Sequence, residues 1–110
     1  MAMIPARAAE LCRDRWHAMV GTIPDEALSL IERGEHFFAV LLLLEALTSG
    51  RLVKWRATFS STGGAYECRF WVKEPTGPIR QFCGQDETSL TLSLVAALDR
   101  FRTADTYGPA

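Results

Sequence analysis

Along residues 6–20 the apolar positions recur every three or four places, so that Ala8, Leu11, Cys12, Arg15, Trp16 and Met19 share one side while Arg13, Asp14 and His17 face away. That period predicts an amphipathic helix, ended by Gly21. Pro24 suits a first helical turn, and Asp25 and Glu26 suit the positive end of a helix dipole, which predicts a second helix continuing to about Arg33. Gly34 is placed to stop or kink it. From Glu35 to Leu47 the chain is apolar nearly all round, the pattern of a helix surrounded by protein, and Thr48-Ser49-Gly50 closes it.

The period then changes to two. In Val53–Phe59 the apolar residues are the odd-numbered ones, and in Tyr66–Lys73 mainly the even-numbered ones, with Trp71 the exception. Half-buried strands require this alternation. Ser60–Ala65, containing Gly63-Gly64, joins the two strands, and Glu74-Pro75-Thr76-Gly77 leads to a short third strand over Pro78–Cys83. Ser61-Thr62-Gly63-Gly64 lacks the following Lys-Ser/Thr of a phosphate loop and reads as a turn. After Gly84, Asp86 or Thr88 is positioned to cap a last helix in which Leu90, Leu94, Ala97, Leu98 and Phe101 recur at helical spacing. The expected architecture is α+β, with helices packed on a three-stranded antiparallel meander in the order α-α-β-β-β-α. A length of 110 residues fits a single domain, taken as residues 1–102, followed by a flexible tail over 103–110.

Composition narrows the functional classes. With 48% hydrophobic and 23% charged residues the chain can build a core, which disfavours disorder. A formal net charge of −1 means that whole-molecule electrostatics would not drive binding to nucleic acid or to anionic membrane, so any basic surface must be local. The amino-terminal residues lack the basic start and apolar run of a secretory signal, and the apolar stretch from Phe37 to Leu44 is far shorter than the roughly 20 residues that span a bilayer. The expected location is the cytoplasm, with no membrane partner. Cys12, Cys68 and Cys83 form neither a CxxC pair nor an even set, so no metal site or disulfide framework is expected.

A candidate surface emerges from strand register. If Phe59 faces Tyr66, Trp55 meets Phe70 and Ala57 meets Cys68 on the core side, and Arg56 lies opposite Arg69. A four-residue turn at Glu74–Gly77 would set Lys73 opposite Pro78, and with it Cys68 opposite Cys83, Trp71 opposite Arg80 and Arg69 opposite Phe82. The other sheet face then collects Lys54, Arg56, Arg69, Trp71, Lys73, Arg80 and Phe82, with Glu67 as its only acid. Like charges directly opposite destabilise a sheet, so Arg56 facing Arg69 calls for an anionic partner or a covering helix with acids. Bases interleaved with rings suit an acidic protein surface and also phosphates.

Catalytic constellations are poor. His17 lies five positions after Cys12, which turns the two side chains apart on a helix. Glu32 and His36 are four apart, yet two ligands do not make a metal site and Gly34 falls between them. No catalytic residue, cofactor or metal is assigned.

The stretch from Phe37 to Phe101 resembles the small phage and prophage proteins grouped as phage ABA-sandwich domains. The shared features are an apolar helix ending Leu44-Glu45-Ala46-Leu47 with Gly50 soon after, a strand pair, Phe82-Cys83-Gly84, the helix entry Glu87-Thr88-Ser89-Leu90, and Val95-Ala96-Ala97-Leu98. That resemblance implies a short phage-encoded accessory protein, acting in the host cytoplasm, with no catalytic residues to carry over. The α-β-β-β-α order is also similar to double-stranded-RNA-binding domains, but those start their last helix with a Lys-Lys-x-x-Ala-Lys-like run where this chain has Asp86-Glu87-Thr88-Ser89. The expected function is therefore a non-enzymatic binding protein that docks onto an acidic surface of a larger host protein or complex and modulates it, inhibition of a host defence system being one version. A nucleic-acid-binding module using the same face is the alternative, and the apolar richness of residues 37–47 raises a homodimer as a further partner.

Overall fold

The computed structural model describes the backbone over residues 5–60 and 63–107 and side-chain surroundings over 7–60 and 63–104. Ser61 and Thr62 of the expected turn, and residues 108–110 of the expected tail, lie outside the described residues. The elements are α1 (Pro5–Met19), α2 (Asp25–Glu32), α3 (His36–Thr48), β1 (Leu52–Ser60), β2 (Ala65–Lys73), β3 (Ile79–Asp86) and α4 (Leu90–Tyr107). The class is the expected α+β with a three-stranded antiparallel meander, β1-β2-β3. Gly34 acts as a stop, so the order carries three helices before the sheet. Residues 103–107, expected as tail, continue α4, where Thr103 Oγ1 donates to the Asp99 carbonyl at 2.9 Å. Among the described residues no helix is long and apolar enough to cross a membrane.

The chain divides into two compact units, Met1–Ser49 and Gly50–Ala110. In the helical unit, Cys12, Trp16, Ala27, Ile31, Ala39, Val40, Leu43 and Leu44 are buried. Trp16 sits where α1 meets α3, its Nε1 donating to the Ala39 carbonyl at 3.1 Å, so its only polar atom is satisfied inside the core. Helix α2 ends in a paired-carbonyl cap: the Gly34 N–H donates to Ile31 O at 3.1 Å and the Glu35 N–H to Leu30 O at 2.9 Å. That cap needs a left-handed residue, and Gly34 supplies it at φ +82°.

In the sheet unit α4 lies against β2 and β3. Cys68, Phe70, Val72 and Phe82 point at Leu94, Ala97, Leu98 and Phe101, all buried. Phe70, Phe82 and Phe101 form a ring triad, with centroids 5.4, 5.9 and 5.2 Å apart. Helix α4 approaches the backbone of β3 directly at Gly84. A Cβ there would lie 2.2 Å from Ser93 O and 2.3 Å from the Ala97 nitrogen. Ser93 is itself buried, donating from Oγ to the Leu90 carbonyl at 2.6 Å beside the Cys68 sulfur. Capping is divided between two residues. Ser89 Oγ accepts the Leu92 N–H at 3.2 Å and caps α4, whereas Asp86, expected as the cap along with Thr88, accepts from Thr88 and Ser89 in the turn before it. Burial pushes the Asp86 carboxyl up, but those hydrogen bonds outweigh it and hold the group below the usual carboxylate range.

Gly84→Ala is expected to destabilise the protein by about 3 kcal/mol, the upper end of overpacking, because the clashing atoms are backbone and have no rotamer to escape into. Gly77→Ala, which meets only Glu74 Cβ at 3.5 Å, is expected to stay within about 0.5 kcal/mol of the parent, as surface substitutions do. Urea unfolding midpoints of the two variants check both values.

Candidate binding face on the sheet

The first hairpin has the register expected from sequence: Phe59 faces Tyr66, Ala57 faces Cys68, Trp55 faces Phe70 and Arg56 faces Arg69. A bulge between Leu52 and Lys54 turns Leu52 opposite Val72. The second hairpin differs from expectation by one residue. Lys73 faces Ile79, Val72 faces Arg80, Trp71 faces Gln81, Phe70 faces Phe82, Arg69 faces Cys83 and Cys68 faces Gly84. Pro78 has no N–H to donate, so pairing resumes at Ile79 and the connection grows to Glu74–Pro78. A slip of one residue exchanges the faces of a whole strand.

Two expected site residues therefore leave this face of the sheet. Phe82 turns inward and is buried in the ring triad, and Arg80 follows it to the helix side, its guanidinium 5.0 Å from the Phe82 ring centroid. There Arg80 and Arg51 both reach Glu74, at 3.3 and 3.5 Å, closing the end of the aromatic cluster with two cations and one acid. The cysteines separate as well. Cys68 is buried on the helix side, and Cys83 is half-buried on the other face, so the two thiols expected to face each other lie on opposite sides of the sheet. Burial and then the Glu67 carboxylate push the Cys83 thiol above its ordinary pKa. Mild oxidation of the intact protein is expected to leave Cys68 and Cys83 unlinked; a peptide map showing that pair joined would contradict this register.

The face that remains carries Lys54, Arg56 and Thr58 from β1 and Glu67, Arg69, Trp71 and Lys73 from β2, with the exposed Ile79 and then Gln81, Cys83 and Gln85 along β3. Lys54 Nζ stands 4.5 Å from the Trp71 ring centroid, a cation–π contact of about 0.5–1 kcal/mol at an exposed site. Arg56, Thr58, Glu67, Arg69 and Trp71 line a shallow hollow of about 330 Å³. The predicted repulsion between Arg56 and Arg69 is real in register, and Glu67 answers it from within the chain. Glu67 precedes Arg69 by two places on the same face, accepts from Arg69 Nε and takes a second hydrogen bond from Gln85 Nε2 at 2.8 Å. The Arg69 hydrogen bond, then that of Gln85, hold the Glu67 carboxyl below its usual range. No external anion is needed to make the pair tolerable. Among the described residues no carboxylate pairs with Lys54, Arg56 or Lys73, which leaves them available to a partner.

The other constellations fall apart. Cys12 is buried, its sulfur directed at the His36 carbonyl at 3.7 Å, and burial raises its pKa to about 11, so it is a neutral thiol. His17 is exposed beside the Gly21 carbonyl. Glu32 and His36 sit on different helices, and among the described residues no three His, Cys, Asp or Glu side chains gather as metal ligands. Sequence reasoning missed Ile79, Gln81, Cys83 and Gln85 on the face, because a proline is also allowed as the first residue of a strand and Pro78 therefore fits either turn length.

The fold and site define a small α+β protein whose helix-backed meander has one cationic, partly aromatic face. No protein-family model matches the chain, and neither a curated protein nor a solved structure matches it.

A carboxyl with a depressed folded pKa contributes stability above its unfolded pKa and loses it as pH falls through the folded one. Glu67→Gln is therefore expected to lower the unfolding midpoint at neutral pH, with the gap from the parent closing as pH drops below about 4.5, the ordinary value for this group. Chemical unfolding at several pH values checks the convergence.

Proposed function

We propose that the protein is a non-enzymatic binding module that docks the open face of its sheet onto an acidic surface of a larger protein and modulates it, the accessory role that the resemblance to phage proteins implies. The observation that carries this reading is the hollow itself: Arg56, Arg69 and Trp71 converge there, with Glu67 as the one acid among the described residues that line it. Arginine and tryptophan at the centre of a patch, with smaller polar groups around them, is the composition of protein-binding hot spots. Lys54 is already ordered on Trp71, so less rotamer entropy is lost when a partner arrives. Glu67 is engaged by Arg69 and Gln85 and held ionised, which suits it to positioning Arg69 and not to carrying a proton at neutral pH. Arg69 thereby stands fixed beside Arg56, for which no carboxylate partner is found among the described residues, and a carboxylate arriving between them would meet both.

Affinity capture from a host lysate, followed by measurement with the purified partner, tests the reading. The Arg56→Ala, Arg69→Ala, Trp71→Ala triple variant is expected to bind at least about tenfold more weakly, roughly 1.4 kcal/mol. Undiminished binding by this variant rejects the face. Duplex and single-stranded oligonucleotides at low salt are expected to give no mobility shift; a shift that weakens steeply with salt and disappears in the triple variant would replace this reading with nucleic-acid binding.

A further inference from the structure

The helical unit carries a second surface of opposite character. Phe38, Leu41, Leu42 and Glu45 fall at i, i+3, i+4 and i+7 on α3, so they form one stripe, and Leu30 and Glu26 of α2 border it. Together with Glu35 they line an open cleft of about 400 Å³ between the two helices. Its floor is apolar, from Leu30, Phe38, Leu41 and Leu42, and its rim is three carboxylates. Phe38 is 53% exposed, a large cost for a phenyl ring in water. The ring is nonetheless held in place, edge-on to Phe37 with centroids 5.8 Å apart. Of the rim acids, Glu35 is bridged to Arg33 at 2.9 Å, while among the described residues no cation pairs with Glu26 or Glu45.

From this geometry we infer that the α2–α3 cleft is a docking site for a cationic amphipathic helix of a partner protein. The stripe from Phe38 to Glu45 extends about 10 Å along α3, two helical turns, the scale on which a helix lays i, i+3, i+4 and i+7 anchors into a groove. Charge selects the occupant. A second copy docking the same surface about a two-fold axis would bring the three carboxylates against their own equivalents, and an anionic lipid surface would be repelled by them. A helix with leucine-like residues on one side and Lys or Arg flanking them meets both the apolar floor and the acidic rim. This site is independent of the cationic sheet face, and either can fail without the other.

The test uses the full chain and a fluorescent peptide of about 18 residues, long enough to fold as a helix on docking, built from leucine at that spacing and lysine elsewhere. A matched peptide with glutamate in place of lysine is the control. The lysine peptide is expected to bind at least tenfold tighter than the glutamate peptide. Phe38→Ala is expected to weaken it about tenfold, and Glu26→Lys with Glu45→Lys to reverse the preference between the two peptides. The Arg56→Ala, Arg69→Ala, Trp71→Ala variant is expected to bind the lysine peptide as the parent does, which separates this site from the sheet face. Equal binding of both peptides, an unchanged preference in the charge-reversed variant, or parent-like binding by Phe38→Ala overturns the proposal. So does a concentration-dependent dimer in sedimentation that Phe38→Ala abolishes, since the occupant would then be a second copy. All the substituted positions in the cleft are exposed, and matching thermal melts confirm that the variants fold.

Discussion

The close approach of α4 to the backbone of β3 at Gly84 is the contact on which the sheet unit depends. With Ser93 O only 2.2 Å from where a Cβ would stand, any side chain at this position would clash with the helix backbone, so the strand register seats Gly84 against the helix. Once it does, alternation along the strand turns Phe82 inward with it and Cys83 outward. Phe82 then completes the triad with Phe70 and Phe101, and Arg80 comes to rest on its ring. The composition of the opposite face is thus decided by steric exclusion on the buried one.

That face illustrates how a chain manages like charge without discarding it. Arg56 and Arg69 are directly opposed across β1 and β2. Glu67, two residues from Arg69, neutralises one member of the pair locally and leaves the other open. The same economy appears at the far end of the sheet, where Glu74 serves both Arg51 and Arg80. Four cations remain against one carboxylate on the open face. The helical unit presents the reverse, carboxylates around apolar side chains. A net charge of −1 conceals two surfaces of opposite sign, which is why the whole-molecule charge said little about partners.

Local chemistry made much of the fold legible. Helical spacing marked α1, Pro24 with Asp25 and Glu26 marked the start of α2, and the period-two alternation placed β1 and β2 in their true register. Five of the seven residues assigned to the face, Lys54, Arg56, Arg69, Trp71 and Lys73, share it because they belong to those two strands. Arg80 and Phe82 do not, because their assignment rested on the length of the turn at residues 74–78. A segment with two prolines and one glycine allows either a four- or a five-residue connection, and its sequence does not choose between them. Cys83 followed the same error.

The apolar helix over residues 36–48 was legible as a helix, but not as a surface. Its pattern is hydrophobic on every side, so nothing in the spacing says which side meets neighbours and which stays open. Only the placement of α1 and α2 against it leaves Phe38, Leu41 and Leu42 at the cleft. The sequence by itself determined the element types, the first hairpin and the charge carried by its strands, because propensity, period and turn chemistry act between residues near in the chain. Tertiary structure alone decided the second register and the open side of α3, because each follows from volume exclusion between segments far apart in sequence.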